Sequence, residues 1–137
     1  MPLLVWRDQL SVGAPEIDKD HKQLIEFVNQ LNDAVTEAQS EKVVGKILLE
    51  LIEYTRDHFS REEKVMAAAG YPDLDRHRKI HLALTNKVLT FAQSYLRTPT
   101  DQVKRELIDF LASWLIEHII KEDRKLGAYL QNKRIWL

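Results

Sequence analysis

Residues 75–84 read DRHRKIHLAL, and this stretch decides what the rest of the chain must build. His77 and His81 stand four residues apart and Leu84 continues their line, a spacing that puts all three on one face of an α-helix. The line runs on through Val88, Phe91 and Tyr95, which predicts a helix over about 74–95. Two imidazoles on a face that apolar residues continue are directed inward, so their purpose depends on what that face meets.

Working outward, Gly70 and Pro72 separate this helix from a preceding one over about 42–69, whose stripe is Ile47, Leu48, Leu51, Thr55, His58, Glu62, Val65 and Met66. An earlier helix over about 18–39 carries His21, Leu24, Ile25, Val28, Leu31 and Val35. A last one begins near TPTD, where Thr98 or Thr100 can cap, and runs through Val103, Leu107, Phe110, Leu111, Trp114 and His118 to about Leu126. No strand pattern or internal repeat interrupts them. The expected fold is all-α: an up-down-up-down four-helix bundle with an irregular N-terminal arm. The chain reads as one domain over 1–137, with an arm over 1–16, the bundle over 17–127 and a tail over 128–137. Trp6 in the arm and Ile135 and Trp136 in the tail are expected to pack over the bundle.

Composition narrows the chemistry. A chain of 137 residues, 45% hydrophobic, is the size of one domain with a real core. Lysine plus arginine number 20 against 21 acids, a net charge of −1 with no long run of one sign, which argues against a nucleic-acid or anionic-membrane surface. Cysteine is absent, so disulfides, thiolate metal sites and cysteine nucleophiles are excluded, and any metal must use histidine or carboxylate. The opening MPLLVWRDQL has too short an apolar run for a signal peptide, and no segment reaches membrane-spanning length. A soluble, cytoplasmic, monomeric protein is the expectation.

All five histidines, His21, His58, His77, His81 and His118, fall on the inward stripes. In an up-down-up-down bundle the first and third helices run against the second and fourth. The start of the first, the end of the second, the start of the third and the end of the fourth share one end of the bundle. His21, His58 with Glu62, His77 with His81, and His118 occupy those four places. One buried histidine is usually satisfied by a neighbour; five imidazoles and a carboxylate in an apolar layer lose hydration without gaining enough partners. A metal supplies the partner. Five imidazoles exceed the needs of one tetrahedral zinc, and two metals bridged by carboxylates fit the inventory better.

Four segments carry a resemblance over nearly the whole chain: SVGAPEIDKDHKQL (11–24), HFSREEKVM (58–66), YPDLDRHRKIH (71–81) and WLIEHIIKED (114–123). In this order and separation they resemble the hemerythrin family, in detail its single-domain bacteriohemerythrins. Asp20 departs from the pattern, since glutamine is expected before His21. The resemblance implies a non-haem di-iron centre that binds O2 reversibly, for carriage, storage, delivery or sensing. By it, His77, His81 and His118 hold one iron and His21 and His58 the other, with Glu62, Asp123 and an oxo or hydroxo group as bridges. The second iron keeps an open position, lined by Leu24, Phe59, Trp114, Leu115 and Ile119. The onward partner would be an O2-consuming enzyme or a signalling protein.

Periodicity and resemblance disagree at one place. Glu122, four residues beyond His118, matches the inward stripe, whereas Asp123 is about 140° round from His118 on a regular helix. The family pattern nominates Asp123. Glu122 and Glu63 are expected to be solvated acids. Two other readings are weighed against O2 binding. A di-iron oxidase or peroxidase of the ferritin-like kind would use paired Glu-x-x-His motifs, absent here. A structural zinc bundle is the other, and HRKIH also lacks the glutamate of the zinc-protease helix.

Overall fold

Pro15 begins a helix rather than ending an arm, because its fixed φ and missing N–H suit the first helical position. In the computed structural model, which describes residues 3–134, α1 spans Pro15–Thr36, α2 Glu41–Ala69, α3 Leu74–Arg97 and α4 Asp101–His118. A π-helical turn, Ile119–Asp123, then leads without a break into α5, Arg124–Arg134. The arm holds one 3₁₀ turn, Asp8–Leu10. Each of α1 to α4 packs on the next, and α1 on α4, closing the up-down-up-down bundle. None of the helices among the described residues is long and apolar enough to cross a membrane.

The boundaries that differ from expectation have local causes. α1 stops at Thr36 because Ala38 adopts a left-handed φ of 53° and the Gln39 N–H turns back to the Ala34 carbonyl. α2 ends where expected, with Gly70 at φ 65° and its neighbour Tyr71 bonded to the Met66 carbonyl. α3 continues to Arg97, and Thr100 rather than Thr98 caps α4, accepting from the Val103 N–H at 3.2 Å. The boundary expected at 127 falls inside α5, which keeps Leu126 and Leu130 buried. Ile135 and Trp136 lie outside the described residues, while Trp6 is partly buried against the core with the Lys22 ammonium 5.0 Å from its ring.

The arm lies along α5. Arg124 donates to the Gln9 carbonyl at 2.7 Å, and a Cβ at Gly127 would collide with the Val12 carbonyl, so only glycine lets the two backbones meet there. Asp18 ties the arm to α1 by accepting from the Val12 N–H at 2.9 Å and the Ser11 hydroxyl at 2.5 Å.

Candidate metal centre

At the end of the bundle where α1 and α3 begin, the core changes from aliphatic to polar. His21, His58, Glu62, His77, His81 and His118 are all buried there, and Asp123 is fully buried. Each helix contributes because its stripe reaches this layer near the end that the antiparallel course puts there.

The side chains meet in an ordered way. All five imidazoles present Nε2 to the carboxylates. Glu62 Oε1 lies 2.9 Å from His77 and 3.2 Å from His81, while its Oε2 lies 3.1 Å from His58 and 4.0 Å from His21. Asp123 Oδ1 lies 3.1 Å from His77 and 3.2 Å from His118, and its Oδ2 lies 2.8 Å from His21. Both carboxylates thus divide their oxygens between one set of three histidines and another of two. Two donor groups result, one of Glu62, His77, His81, His118 and Asp123, the other of His21, His58, Glu62 and Asp123.

These atoms are close without being paired. Both oxygens of Glu62 and Asp123, and Nε2 of His21 and His77, have no hydrogen bond of acceptable direction despite separations near 3 Å. His81 Nε2 and His118 Nε2 face each other at 3.2 Å, which repels unless a proton or a metal lies between their lone pairs. Atoms that converge without aligning leave their lone pairs for a shared cation. The donor set fits metal ions of the kind that imidazole and carboxylate prefer.

The π-helical turn resolves the disagreement over the last acid. In that turn the natural stacking distance is five residues rather than four, so Asp123 comes under His118 and enters the cluster. Glu122 turns outward and is gripped by Arg76 at 2.6 and 2.9 Å. It is therefore a paired acid, contrary to the expectation of a solvated one, because the extra residue in the turn rotates it toward α3.

Glu63 likewise departs from the solvated reading. Its Oε2 lies 3.0 Å from His81 Nδ1, and Arg78 donates to its Oε1 at 3.3 Å. Asp20 does the same for His58, with Oδ2 2.9 Å from Nδ1. An ionised carboxylate only accepts, so Nδ1 of each imidazole carries the proton and Nε2 keeps its lone pair for the centre. Tyr54 and Arg61 hold Asp20 from the other side, at 2.7 Å and 3.0 Å. Sequence reasoning missed Glu63, Tyr54, Arg61, Arg76 and Arg78, since cross-helix pairs leave no spacing signal; Asp20 alone was marked, by its departure from the family pattern.

The charges agree with this arrangement. Burial disfavours the His58 and His77 cations, but the carboxylates beside them outweigh it, Asp20 and Glu62 at His58 and Asp123 and Glu62 at His77; both imidazoles are pushed up to about 9. Burial and the neighbouring Asp123 disfavour the Glu62 anion, yet His58, His77 and His81 pull it down to about 2. Asp123 is held well below the usual carboxylate range, its burial outweighed by His118, His21 and His77. Without a metal, His58 and His77 hold their protons more tightly than free imidazoles do.

The apolar residues expected to line the centre lie in the core. Leu24, Phe59, Trp114, Leu115 and Ile119 are all buried. Phe59 stacks on the His81 ring with centroids 3.8 Å apart and planes at 6°, and meets Trp114 edge-on at 5.8 Å. Trp114 in turn lies 6.1 Å from the His118 ring.

The same chain pattern occurs in known proteins. A family model described as the hemerythrin HHE cation binding domain matches residues 12–130. The bacteriohemerythrin of Stenotrophomonas maltophilia (strain R551-3) is 35% identical over 124 residues, covering 90% of this chain and 79% of that protein. That of Clostridium acetobutylicum is 32% identical over 127 residues, covering 90% and 98%. The crystal structure of wild-type hemerythrin superimposes with a TM-score of 0.80 at 28% identity, over 93% of this chain and 98% of that one.

Proposed function

The chain belongs to the hemerythrin family, and from that premise we propose that it binds O2 reversibly at two iron ions bridged by Glu62, Asp123 and an oxo or hydroxo group. His77, His81 and His118 hold one ion, and His21 and His58 the other. The observation that carries this reading is the division of both carboxylates, one oxygen toward each histidine set. Two ferrous ions, when bound, supply the electrons and the open position that reversible O2 binding requires.

The protein's own residues direct that capacity toward holding O2 rather than consuming it. The three-histidine group offers five donor residues and the two-histidine group four, so only the second leaves room for a small ligand. With five neutral imidazoles and two carboxylates, little negative charge is available to drive further reduction of O2. Leu24, Phe59, Trp114, Leu115 and Ile119 exclude water and protons from the open side. The reading is a binding protein, not an enzyme, for carriage, storage, delivery or sensing, with an O2-consuming enzyme or a signalling protein as the onward partner.

Anaerobic iron quantitation followed by cycling the reduced protein between argon and O2, with the visible spectrum recorded, tests it. Close to two irons per chain and a spectrum that reverses under argon are expected. One zinc per chain, or sustained oxidation of an added donor beyond the protein's own decay, would replace it with the zinc or enzyme reading. Leu115→Ala should keep the fold at a cost of about 2–5 kcal/mol, while decay of the oxygenated form to the ferric state accelerates.

A further inference from the structure

Two acids brace the two halves of the centre from outside, and they are not equivalent. Glu63, behind His81, has one guanidinium contact, from Arg78 at 3.3 Å, and its side chain is 24% exposed. Asp20, behind His58, is 13% exposed and held on both oxygens. Oδ1 accepts from the Tyr54 hydroxyl at 2.7 Å and from Arg61 Nη2 at 3.0 Å; Oδ2 accepts from Arg61 Nε at 3.0 Å and from His58 Nδ1 at 2.9 Å. The better-fixed acid stands behind the half with fewer donors. Asp20, Tyr54 and Arg61 also form, with His58 and Glu62, part of the wall of a surface cavity between α1 and α2.

We propose that Asp20 is a positioning residue that fixes the His58 ring and, as a full negative charge on its Nδ1–H, lowers the reduction potential of the iron that His58 holds, with Arg61 setting how much of that charge is felt. The inference rests on the di-iron reading above. Its physical basis is that a carboxylate accepting the outer N–H of a ligating imidazole increases the basicity of the inner nitrogen, which favours the higher oxidation state of the metal. A neutral amide oxygen also accepts hydrogen bonds but brings no full charge. Arg61 opposes the effect in part, because its guanidinium neutralises the carboxylate, and its side chain, 49% exposed, lets solvent weaken that opposition.

The test uses the full chain loaded with iron, with the midpoint potential measured by spectroelectrochemistry in wild type, Asp20→Asn, Arg61→Gln, Asp57→Asn and Arg56→Gln. Asp57 is an exposed acid on α2 that serves as a charge control. Asp20→Asn should shift the potential positive by about 59 mV, equal to a tenfold change in the ferric-to-ferrous ratio for one electron. Arg61→Gln should shift it negative, and Asp57→Asn should move it far less than Asp20→Asn does. Opposite signs for Asp20→Asn and Arg61→Gln establish the proposal; if Asp20→Asn fails to hold iron, a negative shift in Arg61→Gln well beyond that of Arg56→Gln, which removes another exposed α2 cation, carries it. An unchanged potential in both, or equal shifts in Asp20→Asn and Asp57→Asn, overturns it while leaving the di-iron reading intact. A wild-type chain without iron overturns both.

Discussion

The two ends of the bundle solve the same packing problem with opposite materials. At the end remote from the centre, Leu31, Val44, Leu48, Val88, Leu107, Ile108 and Leu111 are all at most 3% exposed, and the helices that start there are capped by Ser40 and Thr100. That end closes through burial of apolar surface and needs no other component. At the other end, α1 and α3 start without a side-chain cap, and seven ionisable groups take the place of leucines. One end is closed by apolar burial alone, whereas the other gathers donors that suit a cation.

The sharpest way to break this contrast is to exchange Asp123 and Glu122 for alanine in parallel. On the proposed assignment Asp123→Ala removes one ligand from both ions, and it should leave well under one iron per chain by elemental analysis. Glu122→Ala breaks a pair whose Arg76 side chain is 52% exposed and open to solvent screening, and it should leave iron content intact. Equal iron in the two variants would return the assignment to Glu122.

A second pair sets one end against the other. His77→Ala should abolish the paired site while circular dichroism still reports a helical bundle. Leu111→Ala, in the aliphatic end, should do the reverse: denaturation should show a loss of about 2–5 kcal/mol while iron stoichiometry holds. If Leu111→Ala lost iron as readily as His77→Ala, the two ends would not be separate in function.

Acidity should distinguish metal-free from loaded protein. His58 and His77, raised from 6.5 to about 9, bind protons more tightly folded than unfolded. Their contribution to the stability of metal-free protein is complete below pH 6.5 and is lost as pH climbs through about 9. Glu62, lowered from 4.5 to about 2, contributes above pH 4.5 and loses its effect as pH falls through about 2. Metal-free protein should therefore be most stable between the two, with changes on the order of a few kcal/mol on either side. Iron retention should run the other way, improving with pH above about 6.5 and failing steeply below it, because protons compete for the same nitrogens. Urea denaturation of chelator-treated protein beside iron release across pH would show the crossing; parallel trends would count against histidine ligation.

A small effect belongs to the remote end. Ala38 holds a left-handed φ of 53°, where a Cβ is crowded, so Ala38→Gly should stabilise the protein by about 1 kcal/mol without touching iron. Thermal denaturation reads this directly.

How much of this could be read before the structure follows from the same contrast. The helices were legible because their apolar residues recur at three and four, and because Gly70, Pro72 and the threonines near 100 punctuate them. The five histidines and Glu62 were legible as a layer because antiparallel topology alone brings those positions together. Glu63 with His81 and Asp20 with Tyr54 and Arg61 were not, since contacts between helices depend on rotation and height that no single stripe records. Asp123 lay between these cases. Periodicity pointed to Glu122, and the disagreement was itself the trace of the π-helical turn.

That turn also makes the last helix one residue longer than its interior needs. From its last residue onward the buried positions are Asp123, Leu126, Gly127 and Leu130, each one place later than regular repetition from His118 would put them. Ile120 and Lys121, inside the turn, face solvent. Removing either would bring the aspartate to four residues after His118 and let an unbroken α-helix present the same inward face, arm contact included. Elsewhere in the bundle, losing a residue rotates everything beyond it by about 100°; here the loss cancels an offset already present. Within the helices, this segment is thus a place where chain length can change by one without a change in what the interior sees.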